Sequence, residues 1–214
     1  MQRTEKVKKL KLIWNTKMIK KKYYSWQDVE KMCVSIVNQM YKDNWRPDYI
    51  VGITRGGNVP ATIISNMTGI RCEALKVSLR DDKDSHGSET NCWMSEDAFG
   101  YEHYKLNERN ADIMASAGEP IVNIPISAKN ILIVDDINDT GATFNWIKQD
   151  WESTCLPSNE RWKEVWGNNV RFAVLTDNLS SEFDQCVNYC CDNVNKAEED
   201  VWLVYPWENV GNYV

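Results

Sequence analysis

Residues 131–143 constrain the fold of this 214-residue chain more than any other segment. They read Ile-Leu-Ile-Val-Asp-Asp-Ile-Asn-Asp-Thr-Gly-Ala-Thr, so a continuous apolar run leads directly into acids and a short turn-forming loop. Continuous apolar runs are typical of central parallel strands, which are covered on both faces. A helical stretch follows from Ala142. The segment therefore predicts a strand, loop and helix unit.

The loop that ends this run has the composition of a phosphate site. Backbone N–H groups that converge at a helix start, beside the positive end of the helix dipole, can hold a phosphate dianion. Gly141 lets the backbone approach the anion closely, and Thr140 and Thr143 can add hydroxyl donors. An Asp-Asp pair by itself is ordinarily a solvated turn or a cap. A third acid at Asp139 and the Thr/Gly/Thr loop behind an apolar strand favour a functional site instead.

The remaining apolar patterns predict an alternation of helices and strands. Helical spacing predicts a helix from Ser25 to Tyr41, and Pro60 can open another through Asn66. Short apolar runs predict strands at 49–53, 74–79, 170–175 and 202–205. This alternation predicts an α/β fold with a doubly wound, mainly parallel sheet flanked by helices, where ligands bind at the carboxyl ends of strands.

Two segments interrupt the alternation. Residues 80–120 are polar and irregular, with broken helical hints near Ala111 to Ala117, so they predict either a mobile lid or a disordered surface insertion. Residues 150–168 form a tryptophan-rich elaboration around Pro157, for which a structural role is the safer interpretation. We expect one domain that carries these elaborations.

Charge and cysteine content exclude several classes of protein. Residues 1–22 contain nine Lys or Arg and one Glu, which leaves 16 basic and 30 acidic residues in the remainder of the chain. The basic extension reads as a solvated tail or edge element rather than a nucleic-acid arm, and the acidic body argues against nucleic-acid binding. Seven cysteines without a CxxC pair and two histidines support neither a zinc site nor a disulfide framework. No apolar run reaches membrane-spanning length, and we expect a cytoplasmic protein.

Segment 131–143 resembles the diphosphosugar-binding signature of the type I phosphoribosyltransferases. Two further segments are similar to the xanthine-guanine branch of that family: 51–60, Val-Gly-Ile-Thr-Arg-Gly-Gly-Asn-Val-Pro, and 201–208, Val-Trp-Leu-Val-Tyr-Pro-Trp-Glu. The resemblance runs from about Tyr23 to Glu208. It implies a phosphoribosyltransferase domain at 23–214 behind a basic extension at 1–22, with a small C-terminal hood.

The resemblance assigns roles to residues. It implies that phosphoribosyl pyrophosphate, the sugar donor, binds the phosphate and ribose residues Asp135, Asp136, Asp139, Thr140, Gly141, Ala142 and Thr143, with Mg2+ held by Asp135 and Asp136 directly or through water. Pyrophosphate would contact Thr54, Arg55, Gly56 and Gly57, where the guanidinium forks onto phosphate oxygens and the glycines expose amides. Trp202 would stack on the nucleobase, and the backbone of Leu203 would read its edge; core packing is the alternative for this strand.

The implied reaction displaces pyrophosphate at the anomeric carbon as a base nitrogen attacks, and Asp139 is the candidate acid/base residue. Enzymes of the family that act on 6-oxopurines carry a lysine after the strand ending near Leu175, whereas this chain has Asn178. We predict a 6-oxopurine substrate with weaker discrimination, and adenine or another base as the alternative. The resemblance also implies a homo-oligomer, a dimer or tetramer. A rival hypothesis is a non-catalytic regulatory protein that senses phosphoribosyl pyrophosphate, and a third is an interaction module.

Overall fold

Five parallel strands form the central sheet of the computed structural model, which describes residues 20–79, 88–120 and 125–208. In spatial order they are β3 (Cys72–Lys76), β2 (Tyr49–Thr54), β4 (Ile131–Asn138), β5 (Val170–Asn178) and β6 (Tyr189–Val194). The chain order reverses between β2 and β4, and this switch point opens a crevice at the carboxyl ends of those two strands. The predicted doubly wound, mainly parallel sheet is confirmed.

Helices cover both faces of this sheet. They are α1 (Trp26–Lys42), α2 (Asn58–Thr68), α3 (Cys92–Phe99), α4 (Tyr101–Ala117), α5 (Ala142–Cys155) and α6 (Trp162–Val165). Side chains of a strand alternate between faces. Leu132 and Val134 of β4 therefore pack with α1 and α2, whereas Ile131 and Ile133 pack with α3, α5 and α6. Both faces are apolar, which explains the uninterrupted run in the sequence.

A second, two-stranded sheet forms the hood. Strand β1 (Lys20–Tyr23) pairs in parallel with β7 (Val201–Val204), and a short 3-10 helix follows at Pro206–Glu208. Lys22 forms an ion pair with Asp192 of β6, which ties β1 to the main sheet. The end of the predicted basic extension is thus an edge strand of the hood. Residues 1–19 of that extension and residues 209–214 lie outside the described residues.

The segment predicted to be irregular contains two helices, so that prediction was wrong for residues 92–110, whereas the helical hints near Ala111 to Ala117 lie inside the second helix. Helix α3 buries Met94, Ala98 and Phe99 in the core, but it is too short to show a clear period. Helix α4 has no fully buried residue, so it lacks a clear apolar stripe. Residues 80–87 and 121–124 lie outside the described residues. A lid function for this segment stays a prediction.

The tryptophan-rich elaboration packs in the core. Trp151, Trp162 and Trp166 are all buried, and the rings of Trp162 and Trp166 stack with their centroids 5.7 Å apart. Phe99 of α3 lies 5.0 Å from the ring of Trp162. These contacts attach α3 to α6, which is a structural role. Among the described residues, no helix is both long enough and apolar enough to span a membrane.

Candidate active site

The loops after β2 and β4 meet at the switch point. A Cβ atom on Gly57 would lie 2.4 Å from the carbonyl oxygen of Val134, and one on Gly56 would lie 2.0 Å from Oδ2 of Asp136. Both contacts are far shorter than a side chain tolerates, so the approach requires glycine at each position. The Thr54–Arg55 peptide bond is cis, and Arg55 is exposed at the loop surface. The structure thus brings the predicted pyrophosphate loop against the acidic pair.

Asp135 and Asp136 are partly buried near the carboxyl end of β4, which continues through Asn138. Burial raises the pKa of Asp135 well above its ordinary value, and repulsion from Asp136 raises it further. Burial also raises the pKa of Asp136, although N–H donors from Trp207 and Ile137 partly offset this effect. Two carboxylates held close together out of water are stabilised by any cation that joins them.

The acidic pair fits a magnesium ion that is held only in part by protein. No cluster of three or more His, Cys, Asp or Glu side chains suited to a metal occurs within residues 20–79, 88–120 and 125–208. Mg2+ keeps several waters and is commonly bound by one or two carboxylates together with substrate phosphates. Asp135 and Asp136 offer that number of ligands beside the loop at Gly56 and Gly57.

The predicted phosphate loop has the geometry of an anion site. Gly141 has φ +85°, in the left-handed region, and a Cβ there would lie 2.2 Å from the backbone nitrogen of Phe183. Helix α5 starts at Ala142, and Gly141 provides no side-chain cap for its first N–H groups. Thr140 and Ala142 are exposed, and Thr143 is partly exposed. The N–H of Ala142 donates to the hydroxyl of Thr140 at 3.4 Å, so this hydroxyl lies at the start of the helix, where an anion is favoured.

Residues 179–188, here called the bracing loop, pack on the outer side of the phosphate loop. The backbone N–H of Glu182 donates to the carbonyl of Thr140 at 3.0 Å. Asn145 of α5 donates to the carbonyl of Glu182 at 2.9 Å and accepts from the N–H of Asp184 at 3.1 Å. Lys148 of α5 binds Asp184 at 2.6 Å. These contacts fix the phosphate loop between α5 and the bracing loop.

Asp139 pairs with a lysine that the sequence pattern did not reveal. Nζ of Lys196 lies 2.8 Å from Oδ1 of Asp139, and the side chain of Lys196 is 23% exposed. Lys196 lies in the polar connection between β6 and β7, and only the folded chain brings it to Asp139. A lone lysine among acids and asparagines carries no local pattern that could have identified it.

The side-chain amide of Asn178 is engaged in hydrogen bonds with neighbouring residues of the protein. Its amide nitrogen donates to the carbonyl of Asp139 at 2.8 Å, and its oxygen accepts from the N–H of Lys196 at 3.0 Å and the hydroxyl of Ser180 at 2.9 Å. The residue is 6% exposed. The amide thus holds Asp139 and Lys196 side by side, and a contact of Asn178 with the base stays a prediction.

The two residues predicted to bind the base, Trp202 and Leu203, lie on β7 of the hood and differ in exposure. Trp202 is 54% exposed, so it does not pack in the core, whereas Leu203 is buried in it. Two residues that were not predicted do reach the acidic pair: the hydroxyl of Tyr205 donates to the carbonyl of Asp136 at 3.0 Å, and Nε1 of Trp207 donates to its Oδ2 at 3.4 Å.

Comparison with known proteins agrees with this geometry. A model of the phosphoribosyl transferase domain matches residues 16–205. The hypoxanthine-guanine phosphoribosyltransferase of Schizosaccharomyces pombe is 23% identical over 199 residues, covering 87% of this chain and 88% of that protein. Xanthine phosphoribosyltransferase 1 of Saccharomyces cerevisiae is 22% identical over 197 residues, with 87% and 88% covered.

Solved structures share the fold. A purine phosphoribosyltransferase from Pyrococcus horikoshii superposes with a TM-score of 0.52 at 20% identity, covering 89% of this chain and 95% of that one. The xanthine-guanine-hypoxanthine phosphoribosyltransferase of Helicobacter pylori gives a TM-score of 0.54 at 16% identity, with 88% and 94% covered. At these identities the likeness establishes the fold alone.

Proposed function

Because the chain belongs to the phosphoribosyl transferase domain family, we propose that it transfers a 5-phosphoribosyl group from phosphoribosyl pyrophosphate to a 6-oxopurine. The products are a nucleoside monophosphate and pyrophosphate. The observation that carries this proposal is the contact between the two predicted loops, where Gly56 and Gly57 lie directly against Asp136 and Asp135. That contact puts a diphosphate loop, an acidic pair and a phosphate loop around one crevice.

Each part of the donor has a matching group in this crevice. The exposed N–H groups and hydroxyls of residues 140–143 suit the 5-phosphate, and the carboxylates of Asp135 and Asp136 suit the ribose hydroxyls. Arg55 can bind the diphosphate through its fork of N–H donors, beside the amides of Gly56 and Gly57. The donor then spans the switch point from the β4 loop to the β2 loop.

Mg2+, when bound at Asp135 and Asp136, would neutralise part of the pyrophosphate charge and so improve it as a leaving group. The protein groups contribute orientation, since the phosphate loop and Arg55 hold the two ends of the donor. Pyrophosphate leaves with the electrons of its bond to the anomeric carbon as the base nitrogen forms the new bond. The carboxylate of Asp139, which is 47% exposed, can stabilise the positive charge that develops on the sugar.

Lys196 and Asp139 together favour a 6-oxopurine. A 6-oxopurine that attacks through N9 carries its ring proton on N7, so a carbonyl acceptor and an N–H donor lie side by side on one edge. The ion pair presents the complementary edge, since an ammonium only donates and a carboxylate only accepts. Asp139 takes the N7 proton as the new bond forms. The amino group of adenine is a donor and would face the ammonium, which disfavours it.

The names of the curated relatives support the same class of substrate, because they refer to hypoxanthine, guanine and xanthine. The structure retains the acid/base candidate and both phosphate loops, which favours catalysis over sensing. Homo-oligomer formation and a cytoplasmic location remain predictions.

Two measurements on the same preparation test the proposal. Calorimetry with phosphoribosyl pyrophosphate and Mg2+ measures donor binding, and chromatography after addition of guanine measures nucleotide formation. We expect binding and guanosine monophosphate. Binding without product for any base would identify a sensor instead, and the absence of donor binding would contradict the proposal altogether.

A further inference from the structure

Three aromatic rings form a stack between the start of α1 and the end of the described chain, and a fourth, that of Trp26, contacts its end at an interplanar angle of 53°. The rings follow one another in the order Tyr24, Tyr205, Trp207 and Trp26. The centroid of Tyr205 lies 4.9 Å from those of Tyr24 and Trp207, and the centroids of Trp207 and Trp26 are 5.9 Å apart. The rings of Tyr205 and Trp207 are parallel within 2°. The stack joins β1 and α1 to the segment that follows β7. Its two inner members are held from both sides.

The two inner members direct their polar atoms at one residue, Asp136. The hydroxyl of Tyr205, a residue 1% exposed, donates to the carbonyl of Asp136 at 3.0 Å. Nε1 of Trp207 donates to Oδ2 of Asp136 at 3.4 Å. The other carboxylate oxygen, Oδ1, accepts from the N–H of Ile137 at 2.9 Å. Asp136 is therefore held at its carbonyl and at both carboxylate oxygens.

A hydrogen-bond network fixes the hydroxyl of Tyr205 in turn. Oγ1 of Thr176 on β5 lies 2.8 Å from that hydroxyl and 3.2 Å from the hydroxyl of Tyr24. Tyr24 donates its own proton to Asp192 at 2.6 Å. Because the carbonyl of Asp136 can only accept, the proton of Tyr205 belongs to that contact and Thr176 supplies the other donor.

We propose that Tyr205 and Trp207 are positioning residues that preorganise Asp136 for the sugar donor. The inference rests on the proposed function, and it assigns a role to the segment after β7 beyond base binding. Ring stacking uses the faces of Tyr205 and Trp207, so it does not require the hydroxyl or the indole N–H. A carboxylate that is already oriented loses less conformational entropy when the donor binds.

The test uses variants that keep an aromatic ring at each position and remove its polar atom; because Trp→Phe also shortens the ring, it needs a control with the same change elsewhere. Trp207→Phe removes the indole N–H that is hydrogen-bonded to Oδ2 of Asp136, and Tyr205→Phe removes the hydroxyl that is hydrogen-bonded to the carbonyl of Asp136. Trp93→Phe is the matched control, because Trp93 is partly exposed on α3 and packs on Tyr49 at the opposite end of β2. The readouts are the dissociation constant for phosphoribosyl pyrophosphate with Mg2+, the KM of each substrate, kcat and the unfolding midpoint.

We expect Trp207→Phe to weaken donor binding about tenfold, the lower end of what a hydrogen bond to a charged group contributes. Tyr205→Phe should weaken it by a smaller factor, because its partner is a neutral carbonyl. The KM of guanine and the unfolding midpoint should match those of Trp93→Phe. A general loosening of the hood would instead raise the KM of guanine in parallel with that of the donor.

A double-mutant cycle decides whether Trp207 acts through Asp136. In an Asp136→Ala background, which removes the acceptor of the indole N–H, Trp207→Phe should have little further effect on donor affinity. The inference is overturned if Trp207→Phe binds the donor within twofold of the unsubstituted protein, or if it causes the same loss in both backgrounds. Failure of the unsubstituted protein to bind the donor would instead overturn the proposed function.

Discussion

At the scale of single residues, two neighbouring glycines have separable effects on function and on folding. A Cβ on Gly56 meets the carboxylate of Asp136 and would displace it from its donors on Trp207 and Ile137, whereas one on Gly57 meets the carbonyl oxygen of Val134 in the central strand. Gly56→Ala should therefore weaken donor binding with little loss of stability. Gly57→Ala should lower the free energy of unfolding by about 1–3 kcal/mol, as expected for overpacking. Urea titration and calorimetry on both variants check this, and equal stability of the two would contradict it.

Asp139 is predicted to act in the chemical step rather than in donor binding. Asp139→Asn keeps the shape of the side chain but cannot take the ring proton. Turnover should fall by roughly two to four orders of magnitude, the usual contribution of one acid/base group. The dissociation constant of the donor should change little. Steady-state kinetics and calorimetry measure the two quantities, and near-normal turnover would refute the assignment.

Lys196 is predicted to select the base. Lys196→Met keeps the length of the side chain and removes the ammonium, so the KM of guanine and hypoxanthine should rise by about tenfold or more for the loss of a charged hydrogen bond. The KM of the donor should stay within twofold. Lys129→Met, which removes a lysine paired with Asp97 away from this pair, is the control. A donor KM that rises as much as the base KM would show that Lys196 acts on the whole site.

Arg55 is predicted to recognise the diphosphate. Arg55→Ala should weaken binding of the donor and of pyrophosphate, while binding of the nucleoside monophosphate product should be retained, because the product lacks the diphosphate. Direct titration with each of the three ligands compares these affinities. Equal losses for donor and product would contradict a specific contact with pyrophosphate.

At the scale of elements, the strand and loop at 131–143 could be predicted because burial on both faces leaves a continuous apolar run. The helix from Trp26 was predictable for a similar reason, since its apolar stripe and its capping box at Ser25 and Asp28 are local features. Strands β1 and β6 were missed. Lys20–Tyr23 is largely exposed and basic, and Tyr189–Val194 contains a single branched aliphatic residue, Val194, so neither has the pattern of a buried strand.

The contacts that complete the site arise between elements distant in sequence. Asn178 was predicted to face the base because it occupies the position of the family lysine, yet its amide is engaged by Asp139, Ser180 and Lys196. Tyr205 and Trp207 are recognisable in the sequence only as part of an aromatic terminal strand. Their hydrogen bonds to Asp136 depend on how the segment after β7 lies against β4, and no local sequence pattern encodes that arrangement.

The ion pair between Lys148 and Asp184 is one of the contacts that attach the bracing loop to α5. The side chain of Lys148 is 10% exposed, whereas that of Asp184 is 59% exposed. Asp184→Ala leaves a buried ammonium without its partner and should cost about 1–2 kcal/mol of stability, reduced from the fully buried case because the carboxylate is solvated. Lys148→Met replaces the buried stem and leaves Asp184 in water, so it should cost less. Thermal unfolding of both variants would contradict this account if the order were reversed.

At the scale of the whole molecule, two apolar layers and one sheet place all parts of the site at one edge. The seven cysteines are free in the structure. The hood combines a strand from the beginning of the described chain with one from near its end, because β1 pairs with β7. Residues 20–23, the described end of the basic extension, thus form a strand of the hood.

The central claim is that this crevice makes purine nucleotides from phosphoribosyl pyrophosphate. One competition reaction tests it directly: guanine, hypoxanthine, xanthine, adenine and uracil at equal concentration, with the donor and Mg2+, and the nucleoside monophosphates separated by chromatography. We predict that the nucleotides of the three 6-oxopurines accumulate, that those of adenine and uracil form far more slowly, and that a chelator stops the reaction. Preferential formation of the adenine or uracil nucleotide, or no nucleotide from any base, would contradict the account.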